Sequence, residues 1–107
     1  MRRASAIDHD LVRSVATQMM NSARLEIDGK SIPVKRTSSQ RLRTVTFRMG
    51  GREFVAIEQN PEKPSRWGQL AQAGHRVVQF KDVESNRFVA VSVDGEVKEY
   101  GRLGEQE

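Results

Sequence analysis

Two histidines, His9 and His75, are the side chains of this 107-residue sequence whose ordinary titration falls near neutrality, and there is no cysteine. The missing cysteines exclude thiol nucleophiles, thiolate metal sites and a disulfide framework together. His9 stands between Asp8 and Asp10, a composition that resembles a metal-ligand cluster. On a helix, however, neighbouring residues point in different directions, and carboxylates in a first turn complement the positive end of the helix dipole. Neither a metal nor a cofactor is expected. His75 follows Gly74 directly and would serve as a general base if a cleft brought a serine or carboxylate to it. No GxSxG nucleophile motif accompanies it, and no catalytic residue is assigned. The glycines form neither GxGxxG nor GxxxxGK[ST], so a phosphate-cradling loop is not expected. Glu53, Glu58, Asp82 and Glu84 are the raw material of paired-carboxylate hydrolysis, but nothing in their spacing selects that geometry.

Charge offers a second kind of chemistry. Eighteen Lys and Arg against 14 Asp and Glu give a formal charge of +4 and a pI near 10.0, a balance that favours anionic partners. The densest positive cluster is Lys35, Arg36, Arg41 and Arg43, interleaved with Thr37, Ser38 and Ser39, which can donate hydrogen bonds to phosphate. This is the candidate polyanion-binding segment; the plainer alternative is a solvated loop between two hairpins. The five Phe and Tyr residues lie mostly at predicted inward positions, which disfavours recognition of a single strand by a stacking platform. Trp67 is a candidate interface anchor, or else the side chain that staples a short helix onto a sheet. Met19 and Met20 are further interface candidates, because only one of two adjacent helical positions can face a core fully.

The elements that must position these groups follow from periodicity. Ile7, Leu11, Val12, Val15, Ala16, Met19, Met20 and Ala23 recur at spacings of three and four and predict an amphipathic helix from Ser5 to Ser22, with Ser5 and Asp8 as a capping box. The period then changes to two. Asp28-Gly29 predicts a type I′ hairpin turn with Leu25 opposite Ile32 and Ala23 opposite Val34. Pro33 marks an edge, and Lys35 to Gln40 reads as a loop. Gly50-Gly51 predicts a second hairpin with Phe47 opposite Phe54, Val45 opposite Ala56 and Thr44 opposite Ile57. The same register sets Arg48 against Glu53 and Arg43 against Glu58, so part of the basic stripe is paired across the ladder. Ser65 caps a short helix near residues 65–73 despite Gly68, which weakens it by about 1 kcal/mol. Strands follow over Arg76 to Lys81, Arg87 to Val93 and Glu96 to Tyr100. For the last hairpin, a glycine bulge that sets Val91 against Val97 is preferred over a two-residue turn that sets it against Lys98.

The expectation is a single α+β domain over 1–107 with frayed ends at 1–4 and 102–107. An N-terminal amphipathic helix packs on a mostly antiparallel, curved sheet of about seven strands, with a second short helix. A hydrophobic fraction of 36% and a charged fraction of 30% imply a modest core. The order resembles that of the double-stranded RNA-binding domain, which however has three strands between its helices and a basic motif opening the second, so no site is carried across. No apolar run is long enough to span a bilayer, and the start lacks a secretion signal, so a cytoplasmic location is expected. The leading functional expectation is a non-catalytic binding or assembly module acting through homodimer or other protein–protein contacts. The alternatives are nucleic-acid or other polyanion binding through residues 35–43 and a small enzyme using His75.

Overall fold

The computed structural model describes residues 7–37 and 42–99. Its elements run α1 (His9–Asn21), β1 (Arg24–Ile27), β2 (Lys30–Pro33), β3 (Lys35–Arg36), β4 (Arg43–Met49), β5 (Arg52–Glu58), α2 (Arg66–Gln72), β6 (Val77–Asp82), β7 (Arg87–Val93) and β8 (Glu96–Glu99). Strands β3 to β8 form one antiparallel sheet whose spatial order follows the chain, and β1 with β2 form a separate hairpin. The strand beyond the expected set is β3, where Lys35 and Arg36 pair with Thr44 and Arg43. Two residues carry no period of their own; the partner strand supplies the pairing.

Helix α1 begins later than the capping-box reading places it. Asp8 is itself the N-cap and accepts from the Leu11 N–H at 3.1 Å, while Ser5 lies outside the described residues. The apolar stripe is as expected, with Val12, Val15, Ala16 and Met19 buried. Gln18 then ties the helix to β1 in both directions, its Oε1 accepting from the Glu26 N–H at 3.0 Å and its Nε2 donating to the Glu26 carbonyl at 3.3 Å.

The first two hairpins have the expected registers, Leu25 opposite Ile32 and Phe47 opposite Phe54. At the third, the preferred glycine bulge is overturned. Asp94 and Gly95 have φ of 52° and 88°, a two-residue turn of the kind that matches strand twist, and Val91 pairs with Lys98. The two valines serve different cores. Val97 lies opposite Ser92 and packs toward α1, whereas Val91 faces the other side of the sheet against Trp67 and Val77.

These two cores define unequal faces. On one, α1 and the β1–β2 hairpin cover Val45, Phe47, Phe54, Ala56, Val78, Phe80 and Ala90; Phe80 is fully buried and meets the Phe47 ring edge-on at 6.0 Å. On the other, α2 covers one end, packing Trp67, with Leu70 and Ala71, on Val77, Val91 and Val93. Ser65 caps α2 as expected, its Oγ accepting from the Gly68 N–H at 3.1 Å. Gly68 also has a packing reason. A Cβ at this position would lie 2.3 Å from the Lys63 carbonyl oxygen, so the glycine that weakens the helix lets the preceding loop cross it. Gly68→Ala is therefore expected to lower unfolding free energy by about 1–3 kcal/mol in urea denaturation, where the exposed control Gln72→Ala changes it by less than about 0.5 kcal/mol.

Candidate functional site

Strand alternation divides the expected basic cluster. Arg36 and Arg43 are register partners, Lys35 pairs with Thr44, and the two pairs point to opposite faces of the sheet. Arg43 turns toward α1. Its Nη1 donates to the Met19 carbonyl at 3.0 Å, its Nη2 and Nε donate to the Glu58 carboxylate at 3.2 and 3.4 Å, and its Nη2 lies 3.4 Å from the Met20 sulfur. It thus satisfies an orphan carbonyl of the last helical turn and pairs with a half-buried acid. Burial pushes the Glu58 carboxyl up, but the Arg43 guanidinium and backbone N–H, with the charge of Arg36, outweigh it and hold the group below its ordinary 4.5. Arg41 lies outside the described residues. The expected Arg48 to Glu53 ion pair does not form: the residues are register partners, but Arg48 donates to the Gly51 carbonyl at 2.5 Å.

Among the described residues, the sheet face opposite α1 is covered only at the α2 end. The rest of that face carries Thr44, Thr46 and Arg48 from β4, Val55 and Ile57 from β5, Gln79 and Lys81 from β6, Phe88 from β7 and Lys98 from β8, none of them fully buried. Lys35 extends it on β3. Its cations Lys35, Arg48, Lys81 and Lys98 face the acids Glu53 and Glu96, and the Lys81 ammonium sits 5.5 Å from the Phe88 ring centroid.

Phe88 is on this face because of a bulge. Phe80 pairs with Ala90 and Lys81 with Phe88, so Val89 is the extra residue. Simple alternation from Ala90 and Ser92 would direct Phe88 under α1, and the expectation of inward aromatics is met by Phe47, Phe54 and Phe80 but corrected at Phe88. Tyr100 lies outside the described residues.

Where this face meets the loop before α2 there is a cavity of about 450 Å³ lined by Gln59, Lys63, Pro64, Ser65, Gln79 and Phe88. Gln59 is only 6% exposed. Its backbone N–H donates to the Val77 carbonyl at 2.9 Å and its Nε2 to the Asn60 carbonyl at 3.2 Å, while its Oε1 is buried with no hydrogen-bond partner. A buried acceptor left in that state costs about 1–3 kcal/mol. Sequence reasoning passed over Gln59, since a polar residue just beyond a strand has no periodic signature.

His75 is drawn into a structural pair. Its Nδ1 lies 2.7 Å from Asp94 Oδ2, and Asp94 Oδ1 accepts from the Arg76 N–H at 2.9 Å. These bonds tie the α2–β6 connection to the β7–β8 turn; the Arg76 N–H, then His75, hold the Asp94 carboxyl below its ordinary range. A cavity of about 260 Å³ nearby is lined by Thr17, Asn21, Arg76, Ser92 and Asp94 among others, but not by His75. Of the interface candidates, Met19 is 0% and Trp67 6% exposed. Both pack into cores of this fold, Met19 on the sheet-facing side of α1 and Trp67 between α2 and the sheet; Met20 is half-buried beside Arg43. His9 bonds Glu99 at 2.6 Å, and among the described residues no group of three His, Asp or Glu could hold a metal ion. Nor is any described helix long and apolar enough to cross a membrane.

Comparison of the chain with family models, with curated proteins and with solved structures finds no match.

Because the folded Glu58 carboxyl lies below its ordinary 4.5, its contribution to stability is complete above that value and is lost as pH falls through the folded one. Denaturation midpoints followed from about pH 6 to about pH 3 are therefore expected to drop less in Glu58→Gln than in the unsubstituted protein. Parallel curves would contradict the assignment.

Proposed function

We propose that this protein is a non-catalytic binding module that holds single-stranded nucleic acid across the open face of its sheet. The observation that carries the reading is that, among the described strand residues, Lys35, Arg48, Lys81 and Lys98 lie on the face opposite α1 with Glu53 and Glu96 as its acids. On the α1 side, by contrast, Arg43 pairs with Glu58 and Arg52 with Asp82. Cations that already have carboxylate partners offer little to a polyanion, whereas cations in excess on an accessible sheet attract phosphate and release counterions. Thr44, Thr46 and Gln79 add hydrogen-bonding groups between the charges, and Phe88 adds an aromatic surface on which a base can stack. Duplex grooves are entered by a helix or a two-stranded ribbon, while a broad sheet suits splayed bases.

Charge also bears on the homodimer reading. Two copies pairing through this face about a two-fold axis would bring like charges together, at a cost in electrostatic energy. An anionic strand meets no such cost. The enzyme reading has less support, since His75 is engaged by Asp94 and does not line the adjacent cavity.

The test is fluorescence anisotropy with a labelled single-stranded oligonucleotide over a salt series. Four phosphate contacts give an expected slope of log K against log salt of about −3. The combined Lys35→Ala, Arg48→Ala, Lys81→Ala and Lys98→Ala variant is expected to lose binding, while Arg24→Ala with Lys30→Ala on the β1–β2 hairpin retains it. Unaltered binding by a folded fourfold variant, or no binding by the unsubstituted protein at low salt, would overturn the reading. Sedimentation of the protein alone as a stable dimer would favour assembly instead.

A further inference from the structure

Strand β3 covers only the first residues of β4, and beyond them β4 is an edge among the described residues. Gly50-Gly51 is a two-residue turn, so Met49 and Arg52 beside it form a pair that exchanges both main-chain hydrogen bonds. Alternation from that pair aims the N–H and C=O groups of Val45 and Phe47 at β5 and those of Thr46 and Arg48 away from it. The Arg43 N–H, of the same parity as Phe47, does point to the β5 side, where it donates to Glu58 Oε1 at 3.2 Å. Thr44, of the opposite parity, is covered by Lys35. Continuing the β3 register would set Pro33 against Thr46 and Ser31 against Arg48. Pro33, however, has no N–H to give, and the Val34 N–H is drawn to the Ala23 carbonyl at 2.9 Å. The β1–β2 hairpin accordingly forms a sheet of its own. Among the described residues nothing hydrogen-bonds the main-chain groups of Thr46 and Arg48 on this edge. The matching outward groups of Glu26 on β1 are, by contrast, closed by Gln18.

Beside that edge is a cavity of about 300 Å³, walled by Ile27 and Ile32 of the hairpin and by Thr46, Phe47 and Arg48 of β4. Its charged lining residues balance, Lys30 and Arg48 against Asp28 and Glu53, so the cavity itself does not call for a polyanion. We propose that this edge docks an extended peptide segment of another protein, which adds a strand antiparallel to β4. Main-chain bonds to an exposed edge supply affinity in this mode, and pockets for alternate side chains supply specificity. The peptide residues opposite Thr46 and Arg48 exchange both main-chain bonds with them. The residue between these two projects to the Phe47 side of the sheet, where Ile27 and Ile32 offer an apolar seat. The two flanking residues fall on the open face, one opposite Arg48 and the other opposite Thr46, next along the edge from Lys35. Strands lie about 5 Å apart, so Arg48 is their near neighbour while Glu53 of β5 is one strand further off. Acidic side chains suit both positions. The partner is thus a segment in which an apolar residue stands between two acids. This surface goes beyond the nucleic-acid reading and does not depend on it, because its hydrogen bonds come from the main chain at an edge.

An end-capped synthetic peptide of alternating valine and glutamate tests the edge on the unsubstituted protein, so no variant has to fold. Amide hydrogen exchange followed by NMR is expected to be fast at Thr46 and Arg48 in the protein alone and slow at Phe47 and Met49, whose N–H groups are bonded to β5. Saturation with the peptide is expected to slow Thr46 and Arg48 by about tenfold or more. Methylation of the glutamate nitrogens, which donate to β4, is expected to weaken binding about tenfold or more, the factor that about 1.4 kcal/mol represents. Methylation of the valine nitrogens, which face away from β4, is expected to change it by less than about threefold. Serine in place of valine, or lysine in place of glutamate, is expected to weaken binding as well. No binding of the valine and glutamate peptide, slow exchange at Thr46 and Arg48 before any peptide is added, or binding indifferent to which nitrogens are methylated would overturn the proposal. So would protection gained at Val97 on the β8 edge in place of Thr46 and Arg48. None of these measurements contains nucleic acid, so their failure leaves the oligonucleotide result as it stands, and loss of oligonucleotide binding leaves the peptide result as it stands.

Discussion

Everything in this fold depends on the parity of the β4–β5 register. Gly50 and Gly51 both have positive φ, 61° and 80°, which fixes a two-residue turn and sets Phe47 opposite Phe54. Side chains alternate strictly along a strand, so a slip of one residue would exchange the two faces. With β4 held under α1, Phe54 and Ala56 of β5 would enter water, and Glu53 would be forced under the helix. Burial of unpaired charge is far more costly than loss of a few contacts, so the pattern admits one register. From that register the remaining strands inherit their faces in turn, Ala56 opposite Phe80 and Phe80 opposite Ala90.

The same parity sorts the charges. On the helix-covered side, carboxylates sit within reach of arginines: Glu58 with Arg43, and Asp82, 6% exposed, with Arg52 at 2.6 Å. Asp82 also accepts from the backbone N–H groups of Glu84 and Ser85, at 3.0 and 3.5 Å, and so organises the β6–β7 turn. Burial alone would raise its carboxyl, but Arg52 and these N–H groups together keep it below its ordinary value. Arg43 does the corresponding work at the other end, joining the last turn of α1 to β5. The cations on the opposite face are not drawn into such pairs among the described residues, apart from the Lys81 contact with Phe88, and an overall charge of only +4 thereby becomes a locally basic surface.

Two local irregularities turn that surface from a flat sheet into one with a recess. The β7 bulge at Val89 redirects Phe88, and Gly68 lets the loop carrying Lys63 lie against α2. Gln59, at the end of β5, is enclosed between them with its Oε1 unsatisfied. Departures from ideal geometry concentrate where a backbone must do something besides pack.

The α+β class, α1, both glycine-turned hairpins and the Ser65-capped helix were legible from the chain, because each rests on local period or turn chemistry that neighbouring residues state directly. Leu25 opposite Ile32 and Phe47 opposite Phe54 needed nothing more than alternation and turn length. The two-residue strand β3, the pairing of Val91 with Lys98 and the outward aim of Phe88 were not legible. Each depends on which of two cores a residue joins, or on an extra residue in one strand, and neither choice has a local signature. Lys35, Arg36 and Arg43 are close in sequence and read as one cluster; alternation across β3 and β4 sends Lys35 to one face and the two arginines to the other, where Glu58 and the end of α1 claim Arg43. Composition and period determined what the elements are and which residues are apolar enough to face inward. Turn length alone also set Arg43 against Glu58, the pair that forms; only the tertiary structure decided that Arg48 turns to the Gly51 carbonyl instead of Glu53 and that Arg52 meets Asp82, since those choices depend on side-chain reach and on a strand remote along the chain.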